Sequence, residues 1–397
     1  MTQKRQGRFG RVGRILRDKI NSVVPVEEMC ESAKKLRDIY AIKPGAPFVK
    51  REFGYYCLER WYEQGLDREA DLSEVFDYDP CGNVALSGLG CCEAEFFPEF
   101  EEKHIEDRGE HEVIQDHAGR HLLVFKGRRQ GFMPEYIDHP VKDMNTWREN
   151  VKWRMDPSTS ERYEKLNPAL EKAKSGTAEG KMVSQDLIGG YMYLRSLMGP
   201  EDLLYAFYDK PDVIDDCMKS WFALADAITA YHQKQVTFDE LFLEEDICYN
   251  HGLLVSPDTV KKFLFPYYQQ LIANIKSRQL DKSRRLYIQV DTDGFAIPAI
   301  DLYRDNVGLD VMSPFEVASG CDVVEIAKQY PDLVMTGGID KRVLAESKDA
   351  IDKHLEYILP AMRKRGGYIP TCDHGVPEEV TLENYMHYRK RCVEFGS

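Results

Sequence analysis

From about residue 180 onward, the chain alternates short apolar runs with longer helical stretches. The runs read MVSQDLI, ELFL, LYIQV, VGLDVMS, LVMTGG and GYIP. One helical stretch begins with Ser256 as a predicted N-cap, Pro257 at the first helical position and Asp258 in the first turn. Near-continuous apolar strands that alternate with helices predict a parallel sheet, and this many repeats favour a closed barrel. The sequence therefore predicts an α/β fold, specifically a (β/α)8 barrel.

Two parts of the chain depart from this alternation. Residues 1–45 predict an N-terminal helical extension ahead of a barrel over residues 46–397. Residues 78–140 contain Gly, Pro, aromatic residues and alternating runs such as EVIQD and HLLVFKG, which predict an antiparallel β insertion. Before this insertion, we expect a strand at 47–53 and a helix at 57–64.

The charge balance restricts the partners of the chain. Its 397 residues include 53 Lys and Arg against 67 Asp and Glu, which gives a net charge of -14. Such a chain repels nucleic acid and anionic membrane surfaces. It has no apolar run of about 18 residues, so no membrane-spanning helix is expected. The ten cysteines are spaced irregularly and predict reduced thiols in a cytoplasmic setting rather than a disulfide framework.

Four possible metal ligands stand at the ends of predicted strands. They are Asp291 and Asp293 in VDTDG, Glu316 in SPFEV and Cys372 in IPTCDHG. In a parallel barrel the C-terminal ends of the strands converge on one mouth, so these side chains can meet there. Such a set could bind zinc with one position left open. The alternative is that the acids cap helices or pair with basic residues, and that the cysteine is a small buried residue.

Three consecutive acids follow the ELFL run. Alternation along a strand places Glu244 and Asp246 on one face and Glu245 on the other. They could act at the barrel mouth. Equally, they could be solvated or paired with Lys261 and Lys262.

Several further polar residues occupy predicted loops. Asn250 and His251 follow the three acids, and His374 follows the predicted ligand Cys372 by two residues. His374 could bind a metal, move a proton or orient a carboxylate, or it could be structural. Asp340 could contact a substrate or cap the following helix. The nearby Gly pairs stand in no phosphate-binding motif, which disfavours a nucleotide.

Four segments together resemble a known superfamily. NHGLLVSPDTVKKFLFPYY, PFEVASGCDVVEIAKQY, GGIDKRVLA and GGYIPTCDHGVPEEVTLENYMHYRKR resemble the uroporphyrinogen-decarboxylase-like superfamily, closest to its corrinoid-dependent methyltransferases. The resemblance covers about residues 180–397 and implies the same (β/α)8 barrel.

The resemblance also implies a ligand set. Zinc methyltransferases of this superfamily carry a His-x-Cys pair, then a Glu and a later Cys. These positions correspond here to Asp291 and Asp293, Glu316 and Cys372. Two Asp in place of His and Cys make a harder, oxygen-rich site, which suits polarisation of an ether or alcohol oxygen.

The implied activity is transfer of a methyl group from a small donor, with an aromatic methyl ether as first choice, to the corrinoid of a partner protein. Zinc would assist the leaving oxygen. The expected catalytic residues are His374, Glu245 and His251, and the expected substrate-binding residues are Asn250, Arg51 and Asp340. A homo-oligomer is left open.

Two other functions remain open at this stage. Uroporphyrinogen decarboxylases carry a RQAGRY-like segment whose two arginines bind substrate carboxylates, whereas KREFGYY here offers Arg51 alone. A decarboxylase or lyase acting on a tetrapyrrole or another carboxylic acid is the main alternative. A non-catalytic corrinoid- or tetrapyrrole-binding protein is the third.

Overall fold

The computed structural model describes residues 26–127 and 134–396. Its strands are β1 Asn83–Leu86, β2 Lys103–Arg108, β3 His111–Gln115, β4 His121–Phe125, β5 Glu135–Asp138, β6 Met182–Ile188, β7 Glu240–Glu244, β8 Cys248–Tyr249, β9 Gly252–Leu253, β10 Tyr287–Asp291, β11 Val311–Ser313, β12 Val334–Thr336 and β13 Tyr368–Ile369. Its helices of six or more residues are α1 Glu31–Tyr40, α2 Leu58–Glu63, α3 Ser160–Ala178, α4 Gly190–Met198, α5 Pro200–Asp209, α6 Pro211–His232, α7 Pro257–Phe263, α8 Phe265–Arg278, α9 Ile297–Val307, α10 Val323–Gln329, α11 Lys341–Glu346, α12 Lys348–Arg365 and α13 Leu382–Gly396.

A curled parallel sheet forms the centre of the fold. Its order is β1-β6-β7-β10-β11-β12-β13, and every pairing is parallel. The helices between the strands cover its outer surface, and the largest apolar cluster lies between helices and sheet. Ser256 caps α7 as predicted, since its hydroxyl accepts a hydrogen bond from Thr259 N at 3.1 Å. The predicted parallel α/β barrel is confirmed.

The segment before β1 does not form the regular strand predicted at 47–53. It makes one parallel bridge, between Tyr55 and Val376, and the Lys50 carbonyl accepts from Asp79 N. The Lys50 N–H donates instead to the Asp79 side chain at 2.8 Å. Because the Lys50 N–H is satisfied by a side chain and not by a neighbouring strand, the segment lies between β13 and β1 without a ladder.

The antiparallel insertion is confirmed. Strands β2, β3, β4 and β5 form a separate antiparallel sheet inside the predicted range 78–140. It has a small apolar cluster of its own, made by Ile114, Leu122 and Val124. Residues 128–133 of the predicted insertion lie outside the described residues.

Helix α1 closes the N-terminal end of the barrel. Its apolar side chains pack with the first inward-facing residues of five strands, namely Met182, Tyr287, Val311, Val334 and Ile369. We call this cluster the barrel floor. The predicted helical extension is thus present as α1, and its first 25 residues lie outside the described residues.

Strand alternation makes the interior above the floor polar. Since Met182 belongs to the floor, Ser184 and Asp186 face the same interior on β6. Glu240 is in register with Ser184, so Glu240 and Glu244 face inward on β7. We call this interior, between the floor and the strand ends, the barrel lumen. No helix among the described residues is long and apolar enough to cross a membrane.

Candidate active site at the barrel mouth

The loops that follow β10, β11, β12 and β13 converge on one end of the barrel. They carry Asp293, Glu316, Lys341 and His374, respectively. We call this end the mouth, and it is the end at which parallel barrels hold their active sites. The four groups interact electrostatically. The charges of Glu316 and Lys341 shift the pKa of Asp293, and the same two charges shift the pKa of His374.

Lys341 and Glu316 form an ion pair at the centre of the mouth. Lys341 Nζ lies 2.8 Å from Glu316 Oε1, and Gly294 N donates to Glu316 Oε2 at 2.9 Å. Burial alone would raise the pKa of Glu316, but the ammonium and the N–H outweigh it and hold that pKa below its usual value. Burial also opposes the charge of Lys341, yet Glu316 and Asp373 keep the lysine pKa above its usual value. Both groups are therefore charged at neutral pH.

Asp293 and His374 form a second pair beside this ion pair. His374 Nε2 lies 3.6 Å from Asp293 Oδ2, and the imidazole ring stacks on Tyr56 with centroids 5.8 Å apart. Burial, followed by the nearby charges of other acids, raises the pKa of Asp293 to about 8. Burial and Lys341 lower the pKa of His374. At neutral pH the carboxyl group thus keeps its proton, next to a neutral imidazole.

Asp291 and Glu244 lie just below the mouth on neighbouring strands. They are direct partners in the register of β10 and β7. The Ser313 hydroxyl donates to Asp291 Oδ2. Burial raises the pKa of Asp291 to about 6, although this hydrogen bond opposes the rise. Burial raises the pKa of Glu244 to about 7, against the opposing effect of the Cys91 thiol beside it.

Cys372 and Asp373 are buried behind the mouth. The Cys372 N–H donates to Glu52 Oε1 at 2.8 Å, and burial raises the pKa of the Cys372 thiol well above its usual value. The Asp373 side chain accepts from Val317 N at 2.9 Å and from Lys341 N at 3.1 Å. Asp373 therefore joins the loops after β11, β12 and β13, which fixes the position of Lys341.

A zinc ion held by Asp291, Asp293, Glu316 and Cys372 does not fit this arrangement. Both Glu316 oxygens are bound, one of them by the Lys341 ammonium. The Cys372 thiol stays protonated, whereas zinc binds the thiolate. In the part of the chain that the structure describes, no three or more His, Cys, Asp or Glu side chains are grouped to hold a metal ion. The four-ligand site therefore stays a sequence prediction.

The three consecutive acids divide as alternation predicts. Glu244 and Asp246 face the lumen and mouth, while Glu245 is fully buried on the opposite face. Glu245 accepts from the Tyr268 hydroxyl at 2.6 Å and the Tyr303 hydroxyl at 2.9 Å. This position ties β7 to the helices behind it and gives no support to the catalytic role predicted for Glu245.

The hairpin of β8 and β9 carries Asn250 and His251 at its exposed tip. The carbonyl of Tyr249, in β8, accepts a hydrogen bond from Phe295 N at 2.9 Å, which packs the hairpin on the loop after β10. The hairpin therefore borders the mouth. The predicted roles of Asn250 and His251 stay predictions, since both residues are exposed and no hydrogen bond or ion pair among the described residues joins either of them to the Asp293–His374 pair.

Two predicted substrate-binding residues have other surroundings. Asp340 is the N-cap of α11, where its side chain accepts from Arg342 N at 2.9 Å and pairs with the Arg342 guanidinium. The capping alternative is thus confirmed. Arg51 lines a cleft of about 240 Å³ between α1 and β1, and its charge acts on Glu240 near the floor. Within residues 26–127 and 134–396, no hydrogen bond or ion pair joins Arg51 to the groups at the mouth.

Sequence reasoning missed Lys341, the central cation of the mouth. The signal was present, because Lys341 directly follows Asp340 at the end of a strand. Its contact with Glu316 depends on a close approach of two loops, since a Cβ on Gly337 would lie 1.7 Å from the Pro314 carbonyl oxygen. Only glycine permits that approach.

Sequence reasoning also missed Asp186, Arg195 and the pair Cys91 and Cys92. Asp186 sits inside an apolar strand run, where alternation alone would have placed it in the lumen. Arg195 Nη1 lies 2.6 Å from Asp246 Oδ2, so the arginine that reaches the mouth is already paired. The two thiols lie 3.7 Å apart beside the same acids.

Comparisons with known proteins agree with this architecture. A methyltransferase from Methanosarcina mazei has a similar fold, with a TM-score of 0.56 and 13% identity over 92% of this chain and 99% of that chain. The uroporphyrinogen decarboxylase of Hydrogenobaculum sp. (strain Y04AAS1) is 25% identical over 134 residues. That alignment covers 34% of this chain and 36% of the relative, so the match spans about a third of the relative's length.

The family comparison covers more of the chain. The family model described as Uroporphyrinogen decarboxylase (URO-D) matches residues 157–395, which hold the barrel from α3 to α13 and every group at the mouth except Tyr56 and the two thiols. Because the match exceeds half of the chain, the chain belongs to the uroporphyrinogen decarboxylase (URO-D) family.

Proposed function

We propose that this chain transfers a methyl group from a small methylated donor to the corrinoid of a separate protein. The observation that carries the proposal is the charge of the mouth and lumen. Among the described residues, acids outnumber cations there, and the cations Lys341 and Arg195 are each paired with an acid. A substrate with several carboxylates would be repelled, whereas a donor without them would enter.

The fold is compatible with this reaction, since a methyltransferase is among the chains that share it. The decarboxylase alternative would need arginines to hold substrate carboxylates. Arg195 is committed to Asp246, and Arg51 lies near the floor. We therefore rank methyl transfer ahead of decarboxylation on electrostatic grounds.

The Asp293–His374 pair supplies the proton that methyl transfer from an ether requires. The cobalt(I) of the partner's corrinoid would supply the electron pair that bonds to the methyl carbon. As the C–O bond breaks, its electrons remain on oxygen, which takes the proton of Asp293. His374 can then return a proton to Asp293 from solvent, because its ring is only partly buried. Lys341 holds Glu316 in place and stabilises charge that develops at the mouth.

The test gives the purified chain free cob(I)alamin and a panel of donors that includes aromatic and aliphatic methyl ethers. We expect cob(I)alamin to be consumed, with methylcobalamin and demethylated donor formed in equal amounts. A parallel incubation with uroporphyrinogen, monitored for released carbon dioxide, tests the alternative. The methyl-transfer assay is repeated with candidate corrinoid proteins in place of free cob(I)alamin. Release of carbon dioxide from uroporphyrinogen, with no methyl transfer from any donor in either assay, would contradict the proposal.

A further inference from the structure

A layer of polar side chains lines the lumen immediately below the mouth. Glu244, Asp291 and Ser313 are consecutive partners across β7, β10 and β11. Thr336 extends the layer on β12, because Val334 two residues earlier belongs to the floor and alternation returns the chain to the same face. Asp186 on β6 lies close enough to Glu244 to raise its own pKa. These five groups lie on the inward faces of five consecutive strands of the sheet.

Two acceptors in this layer have no partner among the described residues. Thr336 is 4% exposed, and its Oγ1 makes no hydrogen bond. Glu244 Oε2 is buried and also makes none. Buried polar groups are normally satisfied, and leaving one unpaired destabilises the fold. An unpaired hydroxyl and an unpaired carboxylate oxygen on the inward face of one sheet therefore indicate a ligand that donates hydrogen bonds to both.

The charges in the layer also indicate a ligand, and specifically a cationic one. Within the described ranges 26–127 and 134–396, no ion pair is formed by Asp186, Glu244 or Asp291. The nearby cations Lys341 and Arg195 are paired with Glu316 and Asp246 instead. Burial raises the pKa values of Asp186 and Glu244 to about 7, which reports the cost of a buried charge without a counterion. A bound cation would remove that cost.

We propose that this part of the lumen is a subsite for a primary ammonium group carried by the methylated substrate. The ammonium N–H groups would donate to Glu244 Oε2 and Thr336 Oγ1, and its charge would balance Asp186 and Asp291. This inference deepens the proposed function: the ammonium end lies in the lumen, while the methyl-bearing oxygen stays at the mouth beside Asp293. The substrate class is thus a small methyl ether that bears an amine.

Direct binding tests the subsite without any corrinoid. Isothermal titration at about pH 8 compares 2-methoxyethylamine, which is protonated there like a lysine side chain, with neutral 2-methoxyethanol. We expect the ammonium probe to bind at least roughly tenfold more tightly, as charge-assisted hydrogen bonds imply. Equal affinities, or no binding of either probe, would overturn the subsite.

Variants then locate the binding. Glu244→Gln keeps the shape of the side chain and should weaken binding of the ammonium probe by roughly tenfold or more, and Thr336→Val by a few fold. The matched control is Asp301→Asn, which removes an acid from the exposed face of α9 and should leave affinity unchanged. Should Glu244→Gln not fold, as judged by circular dichroism, Asp186→Asn takes its place. Undiminished affinity in the folded lumen variants would overturn the proposal.

The quaternary analogue separates hydrogen bonding from charge. (2-Methoxyethyl)trimethylammonium carries the charge without N–H donors, so it should bind more weakly than the primary amine. Equal binding of the two would overturn the assigned hydrogen bonds.

The outcomes also separate this inference from the proposed function. Binding of the ammonium probe without methyl transfer from any donor would keep the subsite and overturn the function. Methyl transfer from neutral ethers without any preference for the ammonium probe would keep the function and overturn the subsite.

Discussion

The floor and the lumen of this barrel are built by the same strands, yet the buried acids in the two regions differ in their hydrogen-bond partners. Near the floor, the Tyr40 hydroxyl donates to Glu240, and Arg284 binds Asp239 through two nitrogen atoms. Asp239 directly precedes β7, whereas Glu244 at the other end of that strand keeps an oxygen without a partner among the described residues. The floor acids are satisfied within the fold and serve stability. The lumen acid is left available for a ligand, which is how a binding site differs from a core.

The largest difference between the two regions should appear on removal of a floor acid. Asp239→Ala leaves the Arg284 guanidinium buried, at 1% side-chain exposure, without its counterion. We expect a loss of about 3–5 kcal/mol in the free energy of unfolding, measured with urea. In the lumen, Glu244→Gln should cost less than about 1 kcal/mol or stabilise the protein, because it removes a buried acid that has no ion-pair partner among the described residues. Equal losses would contradict the comparison.

Glu245, behind the lumen, gives a pH-dependent prediction. Burial raises its pKa from 4.5 to about 7, and the Tyr268 and Tyr303 hydroxyls only partly oppose this rise. A raised carboxyl pKa means that the folded state binds more protons than the unfolded state, so stability falls as pH rises from about 4.5 to 7. The contribution is of order 3 kcal/mol.

Glu245→Gln should remove this contribution and flatten the dependence of unfolding free energy on pH between 5 and 7. Urea titrations of both proteins at several pH values measure the slope. Glu325→Gln, on the exposed side of α10, is the matched control and should keep the wild-type slope. An unchanged slope in Glu245→Gln would show that this carboxyl is not protonated in the fold.

Lys341 tests whether an internal cation occupies the place predicted for a metal. Lys341→Ala frees Glu316 Oε1 beside Asp293, so affinity for Zn²⁺ should rise by roughly tenfold as a nearby positive charge is removed. Titration calorimetry on metal-free protein measures the change. Lys348→Ala, which removes an exposed lysine paired with Glu383, should leave the affinity at the wild-type value. Tight zinc binding by the wild type that Lys341→Ala weakens would contradict this account.

The smallest expected effect concerns Asp340 at the rim. Because it caps α11, Asp340→Ala should lower the free energy of unfolding by about 1 kcal/mol, while Asp340→Asn should retain most of the cap. Neither change should alter binding of 2-methoxyethylamine. A loss of ligand affinity in Asp340→Asn would restore the substrate-binding role predicted from the sequence.

Much of the fold could be predicted because the periodicity of burial is local. Strand-helix alternation predicted the barrel, and turn residues with alternating runs predicted the antiparallel insertion. The prediction of a regular strand at 47–53 was wrong, since the Lys50 N–H donates to the Asp79 side chain and not to a neighbouring strand. That choice depends on residues distant in sequence, which a local pattern does not contain.

The sequence predicted at which end of the barrel the candidate site lies, but not which of its side chains pair with each other. Strand ends correctly directed attention to Asp293, Glu316 and His374, which do converge at the mouth. The pairing of Glu316 with Lys341 depends on the loop approach allowed at Gly337, and the sequence shows the glycine but not its neighbour. Likewise, the sequence does not show how deeply Glu245 is buried, and its catalytic role stays a prediction that this position does not support.

The most direct test of the central claim asks which end of the barrel carries the chemistry. Single-turnover methyl transfer to cob(I)alamin is measured for wild type, Asp293→Asn at the mouth and Arg51→Ala near the floor. We expect a loss of at least roughly a hundredfold in Asp293→Asn, because a general acid is removed, and a near wild-type rate in Arg51→Ala. A wild-type rate in Asp293→Asn together with a large loss in Arg51→Ala would contradict it.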